Sequence, residues 1–337
     1  MKSVSVVIPT RNRKESLFKT IDSVLKQTFS PHEIIIVDAS DMPILQEELD
    51  RRYSINSIVV LYSDPSVCAQ RNIGIKRARG EYVFLLDDDI LLDNLYLEEL
   101  MKFSHMNYSA IVMSGLVLEQ NKANEWQYIF PKSSFFKLLW IYIFQLGVWM
   151  NINDLKGNFF TKVPLAWLKL QYKINENTVS KSGWPILTNF QKPSFRCQIY
   201  GLGASVIKKK WLEKNLYDEN LDSHGIGDNY GIAINLTKEE GVFVLSDVYA
   251  YHYKLSSNRL SSSEAYYNRV LALHYFITIN QKPSKNWLLW SLLGNFLTSF
   301  VNRDFKLAKA NLRLVKTIVL NKNPLLIVNT NNRLVSL

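Results

Sequence analysis

The chain has 337 residues, of which 47% are hydrophobic and 21% charged. That excludes a disordered polypeptide and leaves room for one large domain or two average ones. Its two cysteines, Cys68 and Cys197, lie far apart in sequence, excluding a disulfide scaffold and a Cys-based zinc site and fitting a reducing compartment. The net charge of +10 is uneven: −4 over residues 1–100, +7 over 101–200, +1 over 201–300 and +6 over 301–337. A basic back half points to nucleic acid, an anionic membrane or a phosphorylated substrate, and no nucleic-acid motif appears.

The first third alternates strand and helix. Val4–Ile8 reads as a buried strand; an apolar run that short is not a signal peptide. Lys14–Thr28 follows with Leu17, Ile21, Val24 and Leu25 at helical spacing. Glu33–Val37 and Ile55–Tyr62 are strands, Ser66–Ala78 a helix, and Glu81–Leu86 a strand running into Asp87-Asp88-Asp89. Asp93–Ser104 reads as helix, Ala110–Val117 as extended. This order predicts an α/β fold, a mostly parallel sheet with helices on both faces. Ligands of such sheets bind at the carboxyl ends of the strands, where Asp38 and the acidic triplet lie.

The middle of the chain gives weaker signals. Residues 135–150 (FFKLLWIYIFQLGVWM) carry one charge, and 287–301 (WLLWSLLGNFLTSFV) none. Both are short for a membrane span, which needs about 20 residues. They permit core helices, interfacial docking or a short span. Length disfavours the span, and the basic residues after 301 together with Trp and Tyr favour docking of at least one run at a membrane surface. The asparagine-rich tail, Asn321 to Asn332, reads as poorly ordered at its tip.

Three consecutive aspartates after an apolar strand repel one another, and a divalent cation removes that cost. Strand alternation would set Asp87 and Asp89 on one side and Asp88 on the other. Oxygen ligands select Mg²⁺ or Mn²⁺. The bland alternative is a solvated loop or a cap of the following helix.

The residues around the triplet form an ordered series: Val6-Val7-Ile8-Pro9-Thr10-Arg11-Asn12-Arg13, Ser23 to Thr28, Ile34-Ile35-Ile36-Val37-Asp38, Arg71-Asn72-Ile73-Gly74, Ala78-Arg79-Gly80-Glu81 and Leu85 to Asp89. In this series the chain resembles the family 2 inverting glycosyltransferases of GT-A fold. The resemblance continues more loosely at Gly203-Ala204-Ser205 and Gly225 to Asn229, and residues 120–195 have no match. It implies a nucleotide-diphospho-sugar transferase sheet with flanking helices and a helical C-terminal extension. Residues 1–255 would be catalytic, with a nucleotide-binding half (1–118) and an acceptor-binding half (119–255) carrying an insertion at about 125–195. Residues 256–337 would form the basic helical extension.

The resemblance also implies roles. Pro9, Thr10 and Arg13 line the nucleotide pocket, Asp38 meets the base, Arg71 contacts the nucleotide, Asp87 and Asp88 lie at the donor with Asp88 near the ribose, and Asp89 binds the metal. Inversion by single displacement needs a carboxylate near the acceptor hydroxyl. The family's Glu-Asp pair reads Asp228-Asn229 here, so Asp228 is the expected base, with Asp222 in reserve. A helix is expected from Asn229 to Lys238. His252, closing a strand over Val242–Tyr251, is expected to complete the metal site. Lys254 and Arg259 would neutralise the leaving diphosphate, and His224 would contact acceptor.

The function expected is non-processive transfer of one sugar from a UDP- or dTDP-linked donor to a hydroxyl of a glycan or lipid-linked acceptor, with Mg²⁺ or Mn²⁺, in surface polysaccharide assembly at the cytoplasmic face of a membrane. No Gln-x-x-Arg-Trp signature of processive synthases is present. The rivals are transfer to a polyprenyl phosphate, an inactive nucleotide-sugar-binding protein, and a pyrophosphorylase, whose glycine-rich opening loop is missing.

Overall fold

The computed structural model describes residues 3–53, 57–121, 123–128, 133–190, 192–237, 239–254, 259–281 and 283–327. In chain order it opens with β1 (Val4–Thr10), α1 (Lys14–Leu25), β2 (Glu33–Asp38), α2 (Gln46–Arg52), β3 (Ile58–Tyr62), α3 (Val67–Arg77), β4 (Tyr82–Leu86), β5 (Ile90–Leu92) and α4 (Tyr96–Met106). It continues with β6 (Val112–Gln120), β7 (Trp126–Gln127), α5 (Phe135–Ile143), β8 (Val148–Trp149), α6 (Lys162–Ile174), β9 (Ile186–Leu187), β10 (Ser194–Cys197), β11 (Ala204–Lys208), α7 (Lys209–Leu212) and α8 (Asp228–Ile234). It closes with β12 (Val242–His252), α9 (Ser262–Asn280), α10 (Lys285–Val301) and α11 (Phe305–Val319). The expected alternation of the first third is present, with α2 added. Ile55, Lys238 and the tip of the asparagine-rich tail lie outside the described residues.

The chain divides into two compact units. The first comprises residues 1–128, 191–196 and 200–259. Its sheet runs in the order β10-β12-β6-β11-β4-β1-β2-β3. β1 pairs in parallel with β2 and β4, and β2 with β3, while β11 lies antiparallel between β4 and β6. The sheet is therefore mixed where the sequence suggested mostly parallel. Every residue of β1 and β2 is buried, because helices cover both faces. α1 turns Leu17, Ile21 and Val24 onto the sheet, as its periodicity requires.

Several motif residues serve this scaffold. At the amino end of the sheet Glu33 is buried and accepts from Ser5 Oγ (2.7 Å), from the Arg79 backbone N–H (2.7 Å) and from Arg79 Nε (3.0 Å). Gln27 donates to the Asp93 carbonyl (2.8 Å) and accepts from the Leu97 N–H (2.9 Å), joining the end of α1 to the start of α4.

The second unit comprises residues 129–190, 197–199 and 260–337. The insertion thus folds with the C-terminal helices. Leu138, Met150, Ile152, Leu165, Leu168 and Tyr172 build one core there. The two apolar runs touch each other: Trp140 Nε1 donates to Thr298 Oγ1 (3.0 Å), Trp290 Nε1 to the Ile143 carbonyl (2.8 Å), and Phe144 stacks on Trp290 with centroids 5.0 Å apart, while Phe136, Leu293, Phe300 and Val301 stay exposed. Among the described residues no helix is long and apolar enough to cross a membrane.

Candidate active site

Strand direction decides where the chemistry sits. β1, β2 and β4 run parallel, β11 opposes β4, and β6 and β12 run together against β11. The carboxyl ends of β1, β2, β4, β6 and β12 therefore share one edge with the amino end of β11. Thr10, Asp38, the triplet, Glu119 and His252 stand on that edge. It lies beside the point where the chain, having built β2 and β3 outward from β1, crosses to β4 on the other side.

The triplet is a turn between β4 and β5, not a continuation of the strand. The Ile90 N–H reaches the Asp87 carbonyl (3.3 Å), and the Asp87 N–H donates to the Gly203 carbonyl (2.8 Å). This overturns the expected alternation. Asp88 and Asp89 turn the same way and share Arg13, at 3.0 and 3.4 Å, while Asp87 turns to Arg71 at 2.8 Å. The period of two holds only in extended backbone.

Each aspartate has its own environment. Asp88 is buried, accepting from Thr10 Oγ1 (2.7 Å) and Arg13. Burial pushes its carboxyl up to about 6 against the pull of Arg13 and Thr10. Asp89 is equally buried, but His252, Arg259 and Arg13 outweigh that burial and hold its carboxyl below the usual range. Thr20 Oγ1 lies 3.0 Å from the carbonyls of both Asp88 and Ile90, pinning the turn to α1.

His252 Nε2 lies 3.2 Å from Asp89 Oδ1, and its Nδ1 3.7 Å from Glu119 Oε1. Sheet register produces both contacts, because His252 stands opposite Ile90 on β5 and Glu119 on β6. Burial opposes the imidazolium, yet the two carboxylates prevail and raise its pKa to about 9. Glu119 is drawn down to about 2 when His252 and Lys254 overcome its own burial. Lys254 Nζ pairs with Glu119 Oε2 at 2.5 Å. Arg259 Nη2 lies 2.6 Å from Asp89 Oδ2 and 3.0 Å from His252 Nε2.

A divalent cation fits this corner in chemistry. Asp89 and His252 supply one oxygen and one nitrogen at the spacing of neighbouring ligands on one ion, and Glu119 stands behind the imidazole as an orienting carboxylate. The Arg259 guanidinium bridges the same two side chains, a positive group where the ion's charge belongs. Among the described residues no cluster of three or more His, Cys, Asp or Glu is assembled to hold a metal.

Arg71 is buried, and Nη1 donates to Asp228 Oδ2 while Nη2 donates to Asp87 Oδ1. Its guanidinium carbon lies 5.2 Å from the Tyr217 ring centroid. The next residue, Asn72, donates to the Tyr217 carbonyl (2.9 Å) and to Glu219 (2.7 Å) and accepts from the Tyr217 N–H (2.9 Å). So α3 holds both the acidic turn and the segment leading to the expected base. Asp228 opens α8 behind Gly225 and Gly227, whose φ values of +63° and +94° suit glycine. Asn229 Nδ2 donates to the Tyr200 carbonyl (3.2 Å), so it serves structure.

Asp222 Oδ1 accepts from the His224 N–H (2.7 Å), which makes it a turn-closing residue. His224 remains partly exposed in the same loop. Asp38 is buried, its two oxygens accepting from the N–H groups of Ser40 (2.9 Å) and Ile44 (2.8 Å). Thr10 and Arg13 meet the triplet, and Pro9 lies within β1 beside Val37. Glu119 escaped the sequence reading. Its signal is weak: it stands opposite His252 only through a pairing of β6 with β12, which slips between Leu245 and Tyr249.

An α/β sheet with an acidic turn, a buried arginine clamp and a histidine at its carboxyl edge defines the class: a GT-A fold. The model of glycosyl transferase family 2 matches residues 5–159, so over this stretch, a little under half of its length, the chain is similar to that family. A similar curated relative is the poly(ribitol-phosphate) β-N-acetylglucosaminyltransferase TarP of Staphylococcus aureus, 32% identical over 178 residues, 48% of this chain and 54% of that protein. The chain thus spans about half the length of this relative. Among solved structures, GalNAc-T7 with UDP, GalNAc and Mn²⁺ superposes with TM-score 0.53 at 19% identity, covering 84% of this chain and 51% of that one. Residues 1–349 of S. aureus TarS in complex with UDP-GlcNAc superpose at 0.51 and 18%, covering 93% and 81%.

Proposed function

We propose that this chain is a glycosyltransferase of polysaccharide assembly. It moves one sugar from a nucleoside-diphosphate sugar to a hydroxyl of a glycan or lipid-linked acceptor, with inversion at the anomeric carbon. The observation that carries this reading is the Arg71 clamp, which ties the donor-side turn to Asp228 in one buried ion-pair network.

In this mechanism Arg13 and Thr10 orient Asp88 toward the donor, and Asp38 shapes the base pocket with Ser40 and Ile44. Arg71 pairs with Asp228 through Oδ2 and fixes its direction. Asp228 takes the acceptor proton as the hydroxyl oxygen bonds to the anomeric carbon and the bond to the diphosphate oxygen breaks. Arg259 and Arg13 supply positive charge for the departing diphosphate. Asp89 and His252 would hold Mg²⁺ or Mn²⁺, which supplies Lewis-acid stabilisation of that leaving group. The N-acetylglucosaminyl transfer in TarP's name makes UDP-N-acetylglucosamine the first donor to test.

The test is calorimetric titration with UDP-, dTDP- and GDP-sugars, with and without Mn²⁺. Binding of one donor is expected, lost in EDTA and weakened roughly 100-fold in Asp89→Ala, about the coupling of a lost metal ligand. Equal affinity with Mn²⁺, in EDTA and in Asp89→Ala would remove the metal from the proposal. Failure of every donor to bind would overturn the donor site, whereas binding without turnover would favour the inactive nucleotide-sugar-binding protein.

A further inference from the structure

Helix α6 carries two opposed apolar faces. Leu165, Leu168 and Tyr172 are buried in the second unit's core. On the other side Val163, Trp167, Leu170 and Ile174 follow one another at helical spacing, preceded by Phe159 and Phe160. All six are exposed, Phe159 by 90%, Phe160 by 84% and Val163 by 78%. A single exposed apolar side chain needs no explanation, whereas a continuous stripe of this size does. The two long apolar runs also expose apolar side chains, but they carry no comparable row of lysines.

Charge identifies the occupant. Residues 155–175 contain Lys156, Lys162, Lys169 and Lys173 and no Asp or Glu. Helical spacing puts Lys162, Lys169 and Lys173 on one flank of the stripe. Beside that flank opens a cavity of about 330 Å³ lined by Lys169 and Lys173 and by Glu176, Asn153 and Asn189, among others. Exposed aromatic and aliphatic side chains next to a one-signed row of lysines form the surface that lies at an anionic bilayer interface.

We propose that the exposed face of α6, led by Phe159 and Phe160, docks this protein on an anionic lipid bilayer. The proposal goes beyond the transferase reading and stands without it.

The experiment is co-sedimentation of the full chain with vesicles of equimolar phosphatidylglycerol and phosphatidylcholine, against vesicles of phosphatidylcholine alone. Binding to the anionic vesicles, weak binding to the neutral ones and release by salt are expected. Phe160→Ser with Trp167→Ser should reduce the bound fraction roughly tenfold, and so should the triple Lys162→Gln, Lys169→Gln, Lys173→Gln variant, which leaves the apolar face intact. Wild type that stays in the supernatant, or variants that sediment as wild type does, would overturn the proposal. So would sedimentation velocity showing an oligomer that the serine variant dissociates while no form binds vesicles, because the face would then join copies of this chain.

Discussion

Arg71 shows how one side chain changes the meaning of its neighbours. A sequence reading makes it a contact of the nucleotide, yet it is buried between Asp87 and Asp228. Removing a partner from such a buried pair leaves an uncompensated charge, so the clamp is both structural and electrostatic. Replacing Asp228 by Asn keeps the shape and removes the proton acceptor. We expect kcat to fall about 10²- to 10⁴-fold with the donor KM little changed, the scale of a lost general base. Steady-state kinetics decide the matter. Full turnover in Asp228→Asn would favour an acceptor already anionic, such as a polyprenyl phosphate. The triplet, Thr10 and Arg13, singled out from local motifs, come together at one edge of the sheet. Glu119 was not singled out, because its role depends on a strand pairing more than a hundred residues away in sequence.

At the scale of elements, α3 must lie close on β1 to deliver Arg71. Gly74 makes that approach possible: a Cβ there would stand 2.2 Å from Val7 Cγ1. Gly74→Ala is expected to destabilise the protein by about 1–3 kcal/mol through overpacking, read as a lower urea midpoint. Adding Val7→Ala should recover part of the loss. An unchanged midpoint in the single variant would mean that α3 shifts freely, and the clamp geometry would lose its support. The strands of the first third were readable within a few residues, since each is an apolar run ending at a polar residue. The acidic turn was misread as strand, because three aspartates carry no signal for where extended backbone stops.

For the whole molecule, the second unit carries a pH-sensitive element of its own. His274 on α9 is buried, 3.0 Å from Asn323 Nδ2. Burial, with help from Lys285, lowers its pKa from 6.5 to about 4. The unfolded chain therefore binds more protons between those values, so stability is full above pH 6.5 and declines as pH falls toward 4. The loss is about 3 kcal/mol. His274→Gln should flatten that slope in urea titrations across pH, whatever it does to stability at pH 7; an unchanged slope would assign the acid sensitivity elsewhere.

What the sequence determined by itself is local in origin. Alternating apolar strands and amphipathic helices specify the α/β sheet, and residues just after β1, β2 and β4 fall at one edge of it because parallel strands end together. What only the tertiary structure decided is long-range. The antiparallel β11, the register that sets Glu119 behind His252 and the burial of Arg71 between two aspartates arise from pairings between distant segments. So does the gathering of residues 129–190 with the C-terminal helices. Periodicity reports which face of an element is buried, but not against which distant element, and that choice belongs to packing.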